Sequence, residues 1–90
     1  MTRVEFTRSA YKDIGSLPGH IIGRLKTWVA AVELVGLAEV RKRPGLHDEP
    51  IKGDRKGQRS VRLSKAYRAI YVETDGHVLI TVIEVSKHDY

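Results

Sequence analysis

The chain closes on Ser86-Lys87-His88-Asp89-Tyr90, which sets an ammonium, an imidazole, a carboxylate and a phenol within five residues. An imidazole titrating near neutrality beside proton donors and cations suits cleavage of RNA without a metal. One group removes the ribose 2′-OH proton, another protonates the leaving 5′-oxygen, and positive charge stabilises the phosphorane-like transition state. Such a site selects RNA, because DNA lacks the attacking hydroxyl. Terminal residues are often functionally silent, so the tail alone is a weak signal. Arg62 and Arg68 add to it by flanking Ser64-Lys65-Ala66. A three-residue turn would bring both guanidiniums onto one sheet face, where they can grip a phosphate. A two-residue turn would instead pair Leu63 with Arg68, and the sequence leaves the choice open.

Other chemistries find no support in the residue types. The 90 residues contain no cysteine, which excludes a disulfide framework, a thiolate zinc site and a cysteine nucleophile. His20, His47, His77 and His88 show no paired metal-ligand spacing, so neither a metal nor another cofactor is predicted. Gly53-Asp54-Arg55-Lys56-Gly57 lacks a phosphate-loop pattern, and its glycines are turn formers. The net charge of +5 is confined to one segment. Residues 41 to 62 hold eight cations (Arg41, Lys42, Arg43, Lys52, Arg55, Lys56, Arg59, Arg62) and three anions (Asp48, Glu49, Asp54), while the remainder balances eight of each sign. A basic segment on a folded chain can neutralise phosphates and speed encounter with a polyanion, although a solvated loop has the same composition.

The elements that must hold these residues follow from periodicity. Val4 and Phe6 alternate with polar neighbours as in a half-buried strand. Ser9 is the expected cap of a helix over 9–17, with Ala10, Ile14 and Leu17 on one face and Pro18-Gly19 as its stop. A second helix is predicted over 19–35, where Ile21, Leu25, Trp28, Val32 and Val35 form an apolar stripe facing a sheet, with Gly36 as its end. Leu37 and Val40 suggest an extra turn, and residues 44 to 58 a connecting loop. Strands are predicted at Arg59 to Leu63, Tyr67 to Glu73 and His77 to Val85, the last two joined by Thr74-Asp75-Gly76. The last strand is apolar on both faces and therefore central. The expected fold class is α+β, one domain over 1–90 in β-α-α-β-β-β order, with two helices on one face of a mainly antiparallel sheet and the other face partly open.

The segment His47-Asp48-Glu49-Pro50-Ile51-Lys52-Gly53, continued through Gln58-Arg59-Ser60-Val61-Arg62-Leu63 and Ala66-Tyr67-Arg68-Ala69-Ile70-Tyr71, resembles the RelE/ParE superfamily of toxins from bacterial toxin-antitoxin pairs. Within that superfamily the chain looks most like the HigB- and YoeB-like ribosome-dependent mRNA endonucleases, over almost its whole length. The resemblance implies a RelE-like fold, Glu49 as general base and Arg68 as support for the transition state. It also implies that the tail supplies the general acid and a nucleotide-positioning tyrosine, at His88 and Tyr90. Here the pattern departs, because Asp89 stands between them, so the acid is either His88 or Asp89. Arg62 and Lys87 match phosphate-binding positions by type and location, and His47 is a further candidate contact. Arg41, Lys42, Arg43, Lys52, Arg55 and Lys56 are expected to contact ribosomal RNA.

The partners so implied are the 70S ribosome with its mRNA and a small antitoxin from a neighbouring gene, the latter covering the site or blocking the ribosome sterically. With no apolar run long enough for a bilayer and no signal-peptide pattern, a cytoplasmic location without membrane contact is expected. Two other readings share these residues. ParE-like members keep the fold but poison DNA gyrase, and a non-catalytic basic domain would only bind RNA.

Overall fold

Alternation at Val4 and Phe6 gives strand β1 over Arg3–Phe6. Thr7 then opens helix α1, Arg8–Ile14, its side chain accepting the Ala10 N–H at 3.1 Å. The cap is thus Thr7 rather than Ser9, and the helix stops at Ile14, short of the expected residue 17. Pro18 leads into α2, Gly19–Val35, which buries Ile21, Leu25, Trp28 and Val32. Val35 departs from the expected stripe: at the helix end it is 47% exposed. Gly36, with φ 89° and ψ 152°, breaks the helix in a conformation suited to glycine, and a short α3 follows over Leu37–Val40.

This structure is a computed structural model, and it describes residues 2–74, 76 and 78–87. Asp75, His77 and the tail candidates His88, Asp89 and Tyr90 lie outside the described residues.

The segment expected to be an irregular loop contains 3₁₀ turns at Pro44–Leu46 and Gly53–Arg55 and, between them, a two-residue strand β2, Glu49–Pro50. Strand β3 spans Gln58–Arg62, β4 Tyr67–Thr74 and β5 Leu79–Lys87. They form one five-stranded sheet in the order β1-β5-β4-β3-β2, with β1 parallel to β5 and the other pairings antiparallel. The fold is therefore the expected α+β arrangement, enlarged by α3 and the edge strand β2.

Cross-strand partners share a sheet face, so the register sorts the side chains. Val61, Ala69 and Val85 form one row and Tyr71 and Val82 another; all five are buried in the core cluster with Ile21, Leu25, Trp28 and Val32. A register shift beside Ile70/Tyr71 inserts one residue into β5, which is why Val82 and Val85 both reach the core despite odd spacing. The opposite face carries the rows Glu49–Ser60–Ile70–Glu84 and Arg62–Arg68–Ser86. Side chains from the helices complete the strand edges: Glu33 accepts the Val4 N–H at 3.1 Å, and Asp13 accepts the Val85 N–H at 3.0 Å, beyond the point where β1 ends. None of the helices described is long and apolar enough to cross a membrane.

Candidate active site

The three-residue turn is the one present. Leu63 N–H donates to the Tyr67 carbonyl at 2.9 Å, and the Ser64 hydroxyl accepts from the N–H groups of Ala66 and Tyr67 at 3.1 and 3.2 Å. Ser64 therefore stabilises the turn locally, and the resulting register sets Arg62 directly opposite Arg68. Both arginines leave the face away from the helices. Glu49 leaves the same face, because it pairs with Ser60, two residues before Arg62 on β3. This makes Glu49 a diagonal neighbour of Arg62, a relation that sets Cβ atoms roughly 7–8 Å apart.

These side chains line a small concavity of about 80 Å³ with His47, Ser60, Lys65 and Tyr67. His47 has φ 43°, and this left-handed turn precedes the strand that bears Glu49. Among the described lining residues Glu49 is the carboxylate, and Arg62, Lys65 and Arg68 are the cations. The Arg68 Nε is buried without a hydrogen-bond partner among the described residues. A base, two opposed guanidiniums and a neighbouring imidazole can bind a phosphodiester and accept a proton beside it.

What orients Glu49 is a buried network that the sequence did not disclose. Asp48, whose side chain is fully buried, faces the helix side while the next residue faces out. Its carboxylate accepts from Arg59 Nε at 2.7 Å and from the Tyr71 hydroxyl, and Arg59 also reaches the Asp48 carbonyl at 3.4 Å. Arg59 and Tyr71 are themselves cross-strand partners, and the Tyr71 ring lies 5.4 Å from that of Trp28. The network thus clamps the short edge strand to the core. Burial first, then the hydrogen bond to Asp48, pushes the Tyr71 phenol well above its ordinary range. Burial lowers the Arg59 pKa, but the hydrogen bonds and charges of Asp48 and Tyr71 outweigh it and raise the value overall. Asp48 lies beside the Glu49-Pro50 motif, and strict alternation would have turned it inward, but only once β2 was recognised as a strand.

The remaining candidates are dispersed. Arg55 crosses the open face, donating to Gln58 at 2.7 Å and pairing with Glu84 at 2.9 Å. Burial raises the Glu84 carboxyl, yet hydrogen bonds from Ser86 and Arg55 and the charges of Arg55 and Arg68 bring it below its ordinary value. Arg41 pairs with Glu73, and Lys42 with Glu39 at 3.3 Å. Lys52 and Lys56 are exposed on the loop, and Arg43 lines a separate groove beside α2. Lys87 pairs with Tyr67, one residue out of phase with the Arg62–Arg68–Ser86 row, and does not line the concavity.

No family model and no curated protein matches the sequence. Solved structures do. The toxin-antitoxin complex RelBE2 from Mycobacterium tuberculosis contains a chain 25% identical, with a TM-score of 0.64 over 97% of this chain and 98% of that one. The YoeB/ParE toxin from Agrobacterium tumefaciens is 18% identical, with a TM-score of 0.72 over 98% and 100%. The archaeal RelE-RelB complex from Pyrococcus horikoshii matches at 20% identity, with a TM-score of 0.69 over 96% and 93%. End-to-end coverage of these chains shows that this chain has the RelE-like fold, in agreement with the resemblance carried by the Glu49-Pro50 and Tyr67-Arg68 motifs.

Proposed function

We propose that the chain is the toxin of a toxin-antitoxin pair and acts as a ribosome-dependent, metal-independent endoribonuclease that cleaves A-site mRNA and inhibits translation. The observation that carries this reading is the convergence of Glu49, Arg62 and Arg68 on one concavity of the uncovered sheet face. Glu49 takes the proton of a ribose 2′-OH, whose oxygen attacks the adjacent phosphorus. Arg68 and Arg62 stabilise the charge gathering on the phosphoryl oxygens, and the leaving 5′-oxygen receives its proton from His88 or Asp89. The products are a 5′-hydroxyl and a 2′,3′-cyclic phosphate, or the 3′-phosphate that water makes from the cyclic ester. Tyr90 positions the nucleotide, and the basic segment holds ribosomal RNA. A solved structure of similar fold that is a toxin-antitoxin complex supports an antitoxin as the partner; the resemblance makes it small and encoded next to this chain. A cytoplasmic site of action follows from the ribosome as target.

Primer extension on translated mRNA tests the reading. Loss of a general base lowers rate by about 10²–10⁴ and loss of one charge-stabilising donor by about 10²–10³. Glu49→Gln and Arg68→Gln are expected to show losses in those ranges with the fold intact. Unchanged cleavage by both variants would remove these roles, and gyrase-linked DNA breaks without RNA cleavage would assign the chain to the ParE-like branch.

A further inference from the structure

A second concavity, of about 640 Å³, adjoins the first. Its walls are the first half of α2, the segment before and within the Pro44–Leu46 turn, and the turn between β3 and β4. A volume of this size falls in the ~300–1,000 Å³ range of clefts that hold small-molecule ligands. Among the described residues its lining is one-signed: Arg24, Arg43, Arg62 and Lys65 contribute cations, His20 an imidazole, and none contributes a carboxylate. The guanidiniums of Arg43 and Arg62 have no hydrogen-bond or ion-pair partner among the described residues. Arg24 donates to the Leu63 carbonyl at 3.1 Å, which ties its guanidinium across the groove from helix to turn. Trp28, 3% exposed, forms part of the lining, and its buried indole N–H has no acceptor among the described residues.

The two concavities share Arg62, Ser64 and Lys65. A chain whose phosphate rests between Arg62 and Arg68 therefore continues past Lys65 into the groove without leaving positive potential. We propose that this groove is a channel for the sugar–phosphate backbone of the RNA strand flanking the cleaved bond, with Arg24 and Arg43 as phosphate ligands outside the reacting group. The identity of the strand rests on the endonuclease reading. A one-signed groove tracking a flexible backbone is how single-stranded nucleic acid is held without sequence preference, the charges supplying affinity through counterion release. Continuity with the reacting concavity favours RNA over an acidic protein segment, which would have no reason to enter between Arg62 and Arg68 beside the Glu49 carboxylate.

Trp28 is the sole tryptophan of the chain, so its indole N–H gives a single resonance, from a residue that lines the groove. The experiment titrates full-length Glu49→Gln protein, in which chemistry is blocked, with a six-nucleotide single-stranded RNA at several salt concentrations. A saturable shift of the indole resonance is expected. Adding Arg24→Gln and Arg43→Gln should weaken binding at least tenfold and flatten the dependence of log K on log salt by ~0.7 for each phosphate no longer neutralised. Lys26→Gln, which removes an α2 cation outside the groove, should leave affinity and slope unchanged. Arg43→Gln alone, at a residue whose guanidinium has no partner to lose among the described residues, serves if the combined variant fails to fold. Cleavage of translated mRNA by the unaltered chain is read in parallel. Cleavage with no indole shift, or an unaltered affinity in Arg43→Gln, overturns the channel and leaves the endonuclease reading standing. An indole shift without cleavage overturns the nuclease and keeps the groove as an RNA-backbone site. A shift produced by a six-residue glutamate peptide and not by RNA would overturn the RNA assignment.

Discussion

Arg62 and Arg68 are direct partners across the β3–β4 ladder, two like charges set opposite each other on an open sheet face. Opposed like charges destabilise a sheet, by an amount of the same order as other cross-strand pairs, about 0.2–1 kcal/mol. On the endonuclease reading proposed above, the phosphate of the bound strand lies between them and offsets that cost. Stability and activity are therefore expected to move in opposite directions: Arg62→Gln should unfold at the same or slightly higher urea concentration than the parent chain while losing cleavage by about tenfold or more. Parallel loss of stability and activity would show that Arg62 holds the fold instead.

Asp48 offers the converse case, a residue remote from substrate whose loss should harm both. Removing one member of a buried charged pair costs about 3–5 kcal/mol, because the other is left uncompensated. Asp48→Ala should approach that range in chemical denaturation and lower cleavage by releasing the strand that bears Glu49. Tyr71→Phe removes a hydrogen bond to a charged group, worth about 1.5–3 kcal/mol, and should be milder.

The same network fixes an alkaline dependence. Burial and the Asp48 hydrogen bond raise the Tyr71 phenol above its ordinary 10.0, so the folded chain keeps a proton that the unfolded chain releases. Its contribution is complete below pH 10 and is lost as pH rises beyond that value. Tyr71→Phe should flatten the fall of stability above pH 10, measured by denaturation at fixed pH; an unchanged alkaline limb would assign it to other groups.

The stripe Ile21, Leu25, Trp28 and Val32 was legible because a helix facing a sheet repeats its apolar residues every three or four positions, and all four are buried. Arg62 and Arg68 were legible as a pair once the turn length was known, since register follows from it. Asp48 was not. Its partners Arg59 and Tyr71 lie 11 and 23 residues away, and no local period marks a carboxylate that turns inward from a two-residue strand. Asp13 at the Val85 N–H, 72 residues apart in sequence, was hidden for the same reason. Thr7 and Ser9 are both acceptable caps, and the end of β1, not residue type, decided between them.

Charge in the basic segment divides into paired and unpaired groups, and the division predicts which residues carry salt dependence. Lys52 and Lys56 are exposed and have no ion-pair partner among the described residues, whereas Arg55 pairs with Glu84. Lys52→Gln with Lys56→Gln should flatten the salt dependence of ribosome association by up to ~0.9 per charge. Arg55→Gln should leave that slope nearly unchanged and act on acid stability instead. The Glu84 carboxyl lies below its ordinary 4.5, so its contribution is present above that pH and is lost as pH falls through the lower folded value. Arg55→Gln removes part of this acid dependence. A flattened salt slope in Arg55→Gln would mean that the Glu84 pair opens to release the guanidinium to RNA.

Two glycines of α2, one inside the helix and one at its end, should respond oppositely to the same substitution. Gly23 lies inside the helix, and a Cβ built there meets nothing within 4 Å. Alanine is favoured over glycine in a helix interior by about 0.8–1.0 kcal/mol, so Gly23→Ala should stabilise the chain. Gly36 ends the helix at φ 89° and ψ 152°, and although its Cβ would also meet open space, the backbone conformation itself is strained for any other residue. Such strain costs on the order of 1–3 kcal/mol, so Gly36→Ala should destabilise. For a domain of this size about 1 kcal/mol moves Tm by roughly 4–8 °C, which thermal unfolding resolves easily. Because α3 must turn back after Gly36 to bury Leu37 and Val40, the destabilised variant should also alter the environment of Trp28, with which Val40 shares the groove wall. Equal and same-signed shifts of Tm in the two variants would show that backbone freedom, and not conformation, governs both positions.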